Sequence, residues 1–259
     1  MFDSLRRAEE ERRRRGERNL EGTPTVEPAP LAPLEVPPPV RDVAPPPVLD
    51  GDFLRELGIL RNSLDAALGE ARRPVVLFTG AVAGEGTTTL AAAYARLLAM
   101  ERSRRVLLVE LNARRPALAE RLGLKPGDGI AQYLTEARPL SSVVQRLADT
   151  PGVDVITAGG DDAVKIQLNL ERRFTNLLDE ARRAYDAVVL DTAPVTTSPE
   201  TPPLAERVDA VVLVVQSGRT KREVVQRALG ILGQFEKTFL GVVLNRKKYY
   251  IPEFIYRRL

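Results

Sequence analysis

Six short apolar runs recur along the chain: Val75–Phe78, Val106–Val109, Val153–Ile156, Ala187–Leu190, Ala210–Val215 and Leu240–Leu244. They are rich in β-branched residues and continuous rather than alternating, which is the pattern of strands buried on both faces. Between them lie stretches with helical spacing, Leu90–Met100, Val164–Ala184 and Lys221–Phe235. Strand alternating with helix predicts an α/β fold: a doubly wound, mostly parallel sheet with helices on both faces, whose ligands sit beyond the carboxyl ends of the strands.

The pattern begins only at about residue 51. Ten of the twenty prolines fall in the first 50 residues, in stretches such as Pro37-Pro38-Pro39 and Pro45-Pro46-Pro47. That composition predicts a disordered, extended arm and linker. Within it, "RRAEEERRRRGER" (residues 6–18) alternates acidic and basic blocks, as either a solvated charged segment or a contact for acidic lipid or a partner. Three regions follow: an arm over 1–50, a folded domain over 51–246, and a basic, aromatic tail over 247–259. No apolar run approaches the roughly 18 residues needed to span a bilayer, and no apolar stretch follows the arginine-rich start as in a signal peptide. The expectation is a cytoplasmic protein.

Composition narrows the chemistry. With neither cysteine nor histidine, the chain has no thiol nucleophile, no imidazole base and none of the usual nitrogen or sulfur zinc ligands. Carboxylates, hydroxyls, basic side chains and backbone amides are left. The 38 basic and 35 acidic residues nearly balance, and the arginines are scattered among acidic residues, so nucleic acid is not an expected partner.

Three loops that follow predicted strands carry the candidate chemistry. The first, "GAVAGEGTTT" (residues 80–89), lies between a strand and a helix. Its glycines, Gly80, Gly84 and Gly86, let backbone amides approach a polyphosphate, and a helix starting near Thr88 adds its positive end. Glu85, Thr87 and Thr89 complete the expected nucleotide-binding set, and Thr88 stands where a phosphate-binding loop carries a magnesium-ligating hydroxyl. Thr87 occupies the position of the lysine that reaches the β and γ phosphates. A threonine offers one neutral hydrogen bond in place of a charge-assisted one about twice as strong, so binding should weaken and transfer should suffer more. The second loop, "VLLVELNARRP" (106–116), ends a strand in Glu110, Asn112 and the pair Arg114-Arg115. The third, "YDAVVLDTAP" (185–194), ends a strand in Asp191, placed to hold magnesium through a water.

From about residue 52 to 246, these stretches together resemble the bacterial tyrosine kinases (BY-kinases) of capsule and exopolysaccharide export, P-loop proteins related to the partition ATPases. "GIAQYL", "VDVITAGG", "RVDAVVLVVQSG" and "LGVVLNR" extend the resemblance. It implies ATP or ADP with Mg2+ as ligands, Thr88 and Asp191 at the metal, and catalytic positions at Asp191, Glu110 and Asn112. The family places lysine at Thr87 and aspartate at Glu110, Asn112 and Glu200, so only Asp191 is unchanged. An amide at Asn112 cannot accept a proton as a base. The lesions fall on catalysis, and the resemblance therefore implies a degenerate kinase, a nucleotide-binding protein of doubtful activity. Arg114 or Arg115 is the candidate replacement for the missing charge. Lysine near the start of the loop, a mark of partition ATPases, is Val82 here.

The resemblance also implies partners. Family kinases act with a transmembrane chain-length (co-polymerase) protein, at the inner face of the plasma membrane, and phosphorylate a tyrosine-rich tail in trans. Tyr249, Tyr250 and Tyr256 are the matching candidates, unless Ile251, Phe254 and Ile255 pack the tail onto the domain or its basic flanks bind a membrane surface. Self-association in the family uses a glutamate and two arginines before the first strand. "RELGILRNSL" (55–64) keeps Arg61 but has Gly58 at the other arginine position. Asn245 matches a position that reads the adenine edge, with a turn-forming asparagine as the alternative.

Overall fold

The computed structural model describes residues 51–247 apart from Glu70, Ser103, Asp161 and Asp162. The arm over 1–50 and the candidate tyrosines Tyr249, Tyr250 and Tyr256 lie outside the described residues. Seven strands form one sheet: β1 (Val75–Gly80), β2 (Val106–Glu110), β3 (Gln145–Arg146), β4 (Val153–Ile156), β5 (Ala187–Asp191), β6 (Ala210–Gln216) and β7 (Phe239–Asn245). Eight α-helices accompany them among the described residues: α1 (Gly51–Leu68), α2 (Thr87–Arg102), α3 (Leu118–Leu122), α4 (Ile130–Glu136), α5 (Leu140–Val143), α6 (Ala163–Ala184), α7 (Thr201–Ala205) and α8 (Arg222–Leu232).

The strand order is β3-β4-β2-β5-β1-β6-β7. Every pairing is parallel except β3 with β4. All six apolar runs became strands, and those in β1, β2, β4, β5 and β6 are covered on both faces. Alternate residues feed two separate cores. Val75, Leu77, Leu107 and Val109 face α4, α6 and α8 through Tyr133, Phe174 and Leu232. Val76, Phe78, Val106 and Leu108 face α1, α2 and α3 through Leu57, Tyr94 and Leu118. Alanines 91, 92, 93 and 95 on α2 are buried; they favour the helix and let it approach the sheet closely.

Two residues of β3 escape sequence reading, since Gln145-Arg146 has no apolar run and forms only by pairing antiparallel with Val155 and Asp154. At the other end β7 is an edge strand, with Val242 and Leu244 exposed. No helix among the described residues is long and apolar enough to cross a membrane.

The topology concentrates the three loops. Strands β2, β5 and β1 are adjacent, and their register puts Asp191 between Phe78 and Glu110. The ends of these strands therefore open onto one common space, as expected at the carboxyl edge of such a sheet.

Leu77 is fully buried and Leu244 is 60% exposed. Leu77→Ala should cost about 2–5 kcal/mol of stability in urea unfolding, whereas Leu244→Ala should change it by no more than about 0.5 kcal/mol.

Candidate functional site

The glycine-rich loop leaves β1 at Gly80 and enters α2 at Thr87. Gly84 and Gly86 both hold positive φ, at 88° and 93°, conformations that L side chains rarely adopt. The first intrahelical bond runs from Leu90 N to Gly86 O, 3.0 Å. The amides of Gly86, Thr87, Thr88 and Thr89 precede it in the first turn, which no helix satisfies internally. They form an anion-binding end in the position expected for phosphate.

Glu85 braces this loop from beneath. It is 2% exposed, and its carboxylate accepts from Val82 N (2.8 Å), Gln216 N (3.3 Å) and the Thr220 hydroxyl (2.6 Å). Its side chain is thus a strut between the loop and the end of β6, and only its backbone amide is left for phosphate. Asn245 plays a related part. Its Nδ2 donates to Glu85 O at 2.7 Å and its Oδ1 accepts from Arg246 N at 2.8 Å. In this structure both ends of the Asn245 amide, the position expected to read the adenine edge, hold protein backbone. A Cβ on Gly86 would come within 2.2 Å of Asn245 Nδ2, so this close cover, as well as positive φ, requires glycine there. Thr87 points its hydroxyl toward Gly80, where an added Cβ would meet it at 3.0 Å.

Two neighbouring carboxylates at the strand ends differ completely in their surroundings. Glu110 is 1% exposed and accepts three backbone amides: Ala117 N (2.5 Å) and Leu118 N (2.9 Å) at the start of α3, and Ala158 N (3.1 Å) beyond β4. Glu110 is expected at a catalytic position; here its oxygens accept from the backbone, which gives it a part in holding the start of α3. Asp191 is fully buried, yet neither of its oxygens has a hydrogen-bond partner among the described residues. The Thr88 hydroxyl is the polar side chain beside it. Burial pushes the Asp191 carboxyl up to about 7; the Thr88 hydroxyl pulls it down, the Glu110 charge pushes it up and the Arg121 charge pulls it down.

Asn112 lies half-buried in the β2–α3 loop, its carbonyl accepting from Arg115 N at 3.3 Å. Arg114 reaches across to Glu200, Nε to Oε1 at 3.9 Å, so the exposed Arg114 is drawn toward the segment after β5. Glu200 Oε2 and Ser198 Oγ are buried there without partners among the described residues. The segment is stitched to the start of the glycine-rich loop by Val195 N to Gly80 O (3.0 Å) and the Thr196 hydroxyl to Ala81 O (2.6 Å). The structure therefore gathers Gly80, Gly84, Gly86, Thr87, Thr88, Thr89 and Asp191 around one space. On α1, Arg61 pairs with Asp65 of the same helix at 2.8 Å.

Sequence reasoning missed Arg121, whose Nη1 donates to the Thr89 hydroxyl at 3.1 Å. In "ALAERLGL" it reads as an ordinary polar position between Leu118 and Leu122. Only the packing of α3 against α2 brings it to the loop, so no local signal marks it.

No group of three or more acidic residues able to hold a metal occurs among the described residues. Magnesium fits such a place when one or two protein groups, waters and phosphate oxygens complete its shell, and Asp191 with Thr88 would supply that protein share.

The two carboxylates yield opposite expectations. Because the folded Asp191 titrates near 7 and the unfolded one near 3.9, the folded chain keeps a proton that the unfolded chain loses between about pH 4 and 7, and stability falls as pH rises through that window. Asp191→Asn should match the parent near pH 4 and exceed it at pH 8 by on the order of a few kcal/mol, read from urea midpoints across pH; a gap independent of pH would contradict this. Glu110→Gln replaces one acceptor by a donor facing backbone amides and should cost about 2–3 kcal/mol in the same assay.

Compared with models of known protein families, the chain matches none. It is 29% identical over 189 residues to the tyrosine-protein kinase YwqD of Bacillus subtilis, covering 73% of this chain and 79% of that one. To the succinoglycan biosynthesis transport protein ExoP of Rhizobium meliloti it is 27% identical over 185 residues, 70% of this chain but only 23% of ExoP. Among solved structures, the kinase domain of VpsO is 30% identical, with a TM-score of 0.65, over 76% of this chain and 98% of that domain. The cell division ATPase MinD of Pyrococcus furiosus, 19% identical over 71% of this chain and 77% of its own, shares the fold at a TM-score of 0.57. A loop poised for phosphate, an acidic strand end beside it, and near-complete coverage of a tyrosine kinase domain lead to one conclusion: the chain belongs to the bacterial tyrosine kinase family of P-loop proteins.

Proposed function

We propose that this chain is a nucleotide-binding member of the family with impaired phosphoryl transfer, acting in exopolysaccharide or capsule production beside a transmembrane chain-length partner at the inner membrane face. The observation that carries the reading is Asp191, a fully buried carboxylate without a protein partner next to Thr88. A fold tolerates such a group poorly unless something in the site uses its charge.

Binding and transfer separate in this site. The amides of the loop and of the first turn of α2 hold phosphate oxygens, and Thr88 and Asp191 hold the metal side. Bound Mg2+ supplies neutralisation of the phosphate charge. Transfer needs more: a cation where charge develops and a carboxylate to take the hydroxyl proton. Thr87 is neutral, Asn112 is an amide and Glu110 is committed to the backbone. The reading of an active autokinase loses support at each of these three positions. The exopolysaccharide assignment rests on family membership and on the name of ExoP.

Calorimetry with Mg-ADP tests the reading. The parent should bind in the micromolar range, Asp191→Ala should lose at least about tenfold, and Thr87→Lys should gain about tenfold by restoring a charge-assisted bond. With Mg-ATP and the membrane partner present, the parent should transfer no phosphate to tyrosine. Binding by Thr87→Lys alone, with a silent parent, would show that the fold is kept without its ligand.

A further inference from the structure

The loop has lost its lysine, yet its helix end is not left without a cation. Arg121 stands at the far end of α3 with its guanidinium on the Thr89 hydroxyl, 3.1 Å away, in the turn whose amides face the phosphate position. Its positive charge also acts on Asp191, lowering that carboxyl's pKa. Asp191 itself, fully buried, without partners among the described residues and adjacent to this turn, is the independent sign that a ligand belongs here.

The placement of Arg121 is built into the fold. Helix α3 is pinned at its start by the Glu110 carboxylate on Ala117 N and Leu118 N. Its inner face is Leu118 and Leu122, 0% and 3% exposed, and it stops at Gly123 in the left-handed conformation, φ 59°. Arg121 is therefore presented from an anchored helix, and the guanidinium retains N–H donors beyond the one on Thr89. The two arginines singled out beside Pro116 are placed differently, Arg114 lying toward Glu200.

We propose that Arg121 is a phosphate-binding residue that replaces the missing lysine, contacting the phosphates of a nucleoside di- or triphosphate at the first turn of α2 from a different element of the chain. The proposal rests on the nucleotide-binding reading above and adds to it the source of the charge. An arginine arriving from outside the loop holds phosphate oxygens in a planar fork, and it lies over Thr89 rather than at the lysine's own position. It thus supports binding without reproducing the contact that follows the transferred group.

A double-mutant cycle on Mg-ADP binding decides the matter, using the full chain and calorimetry. Arg121→Gln should weaken binding at least about tenfold, and Arg121→Lys should recover most of the loss. In a Thr87→Lys background, where the loop has its own cation, Arg121→Gln should cost no more than about threefold, because the two charges serve one site. Lys125→Gln, which removes an exposed positive charge outside the site, should leave affinity unchanged. Since Arg121 is exposed, its variants should keep the parent's urea midpoint, which separates lost contact from lost fold. Equal affinity in parent and Arg121→Gln, or the same loss in the parent and Thr87→Lys backgrounds, would overturn the proposal while leaving nucleotide binding standing. A parent that binds no nucleotide would overturn the underlying reading and the role of Arg121 with it.

Discussion

A single carboxylate with almost no access to water holds the glycine-rich loop in shape. Glu85 takes hydrogen bonds from the loop itself, from the end of β6 and from Thr220, while its carbonyl is held by Asn245 at the end of β7. A buried charge is costly unless its acceptor sites are filled, and here three donors fill them. The loop is consequently tied to two strands that it does not follow in sequence. The left-handed glycines, the exposed amides of the first turn of α2 and the tight cover over Gly86 all presuppose that anchorage.

The same principle, applied to the strand ends, divides labour between two acids. Glu110 and Asp191 sit side by side in register. One is saturated by backbone amides from α3 and from beyond β4; the other has none. The saturated acid is part of the scaffold, and the unsaturated one is left with both oxygens buried and unmet among the described residues. Position along a strand does not distinguish them. What distinguishes them is whether the surrounding backbone turns its N–H groups toward the oxygens.

The strands of the fold were almost fully legible because each apolar run is short and β-branched and all but the edge run Leu240–Leu244 are covered on both sides, so local composition and final environment agree. Val153–Ile156 is bounded as expected, the other five extend by a residue or two at their carboxyl ends, and Leu240–Leu244 also gains Phe239 at its start. Gln145-Arg146 was not legible, since its pairing is supplied by the neighbour and by nothing in the dipeptide. Within the site, residue types told which positions lie together: the loop glycines Gly84 and Gly86, Thr88 and Asp191. They did not tell which way a side chain turns. Glu85, Glu110 and Asn245 all face the protein, and Arg121 faces the loop, because contacts between residues far apart in sequence decide each case.

The extra methylene of Glu110 carries the carboxylate past the strand end to the amides of α3 and Ala158; an aspartate on the same backbone would pull both oxygens back by about 1.5 Å, beyond hydrogen-bond reach. Glu110→Asp would therefore uncap the helix that carries Arg121. The carboxylate is a joint of the molecule between β2, α3 and the backbone beyond β4, and a change there is felt at the loop through Arg121.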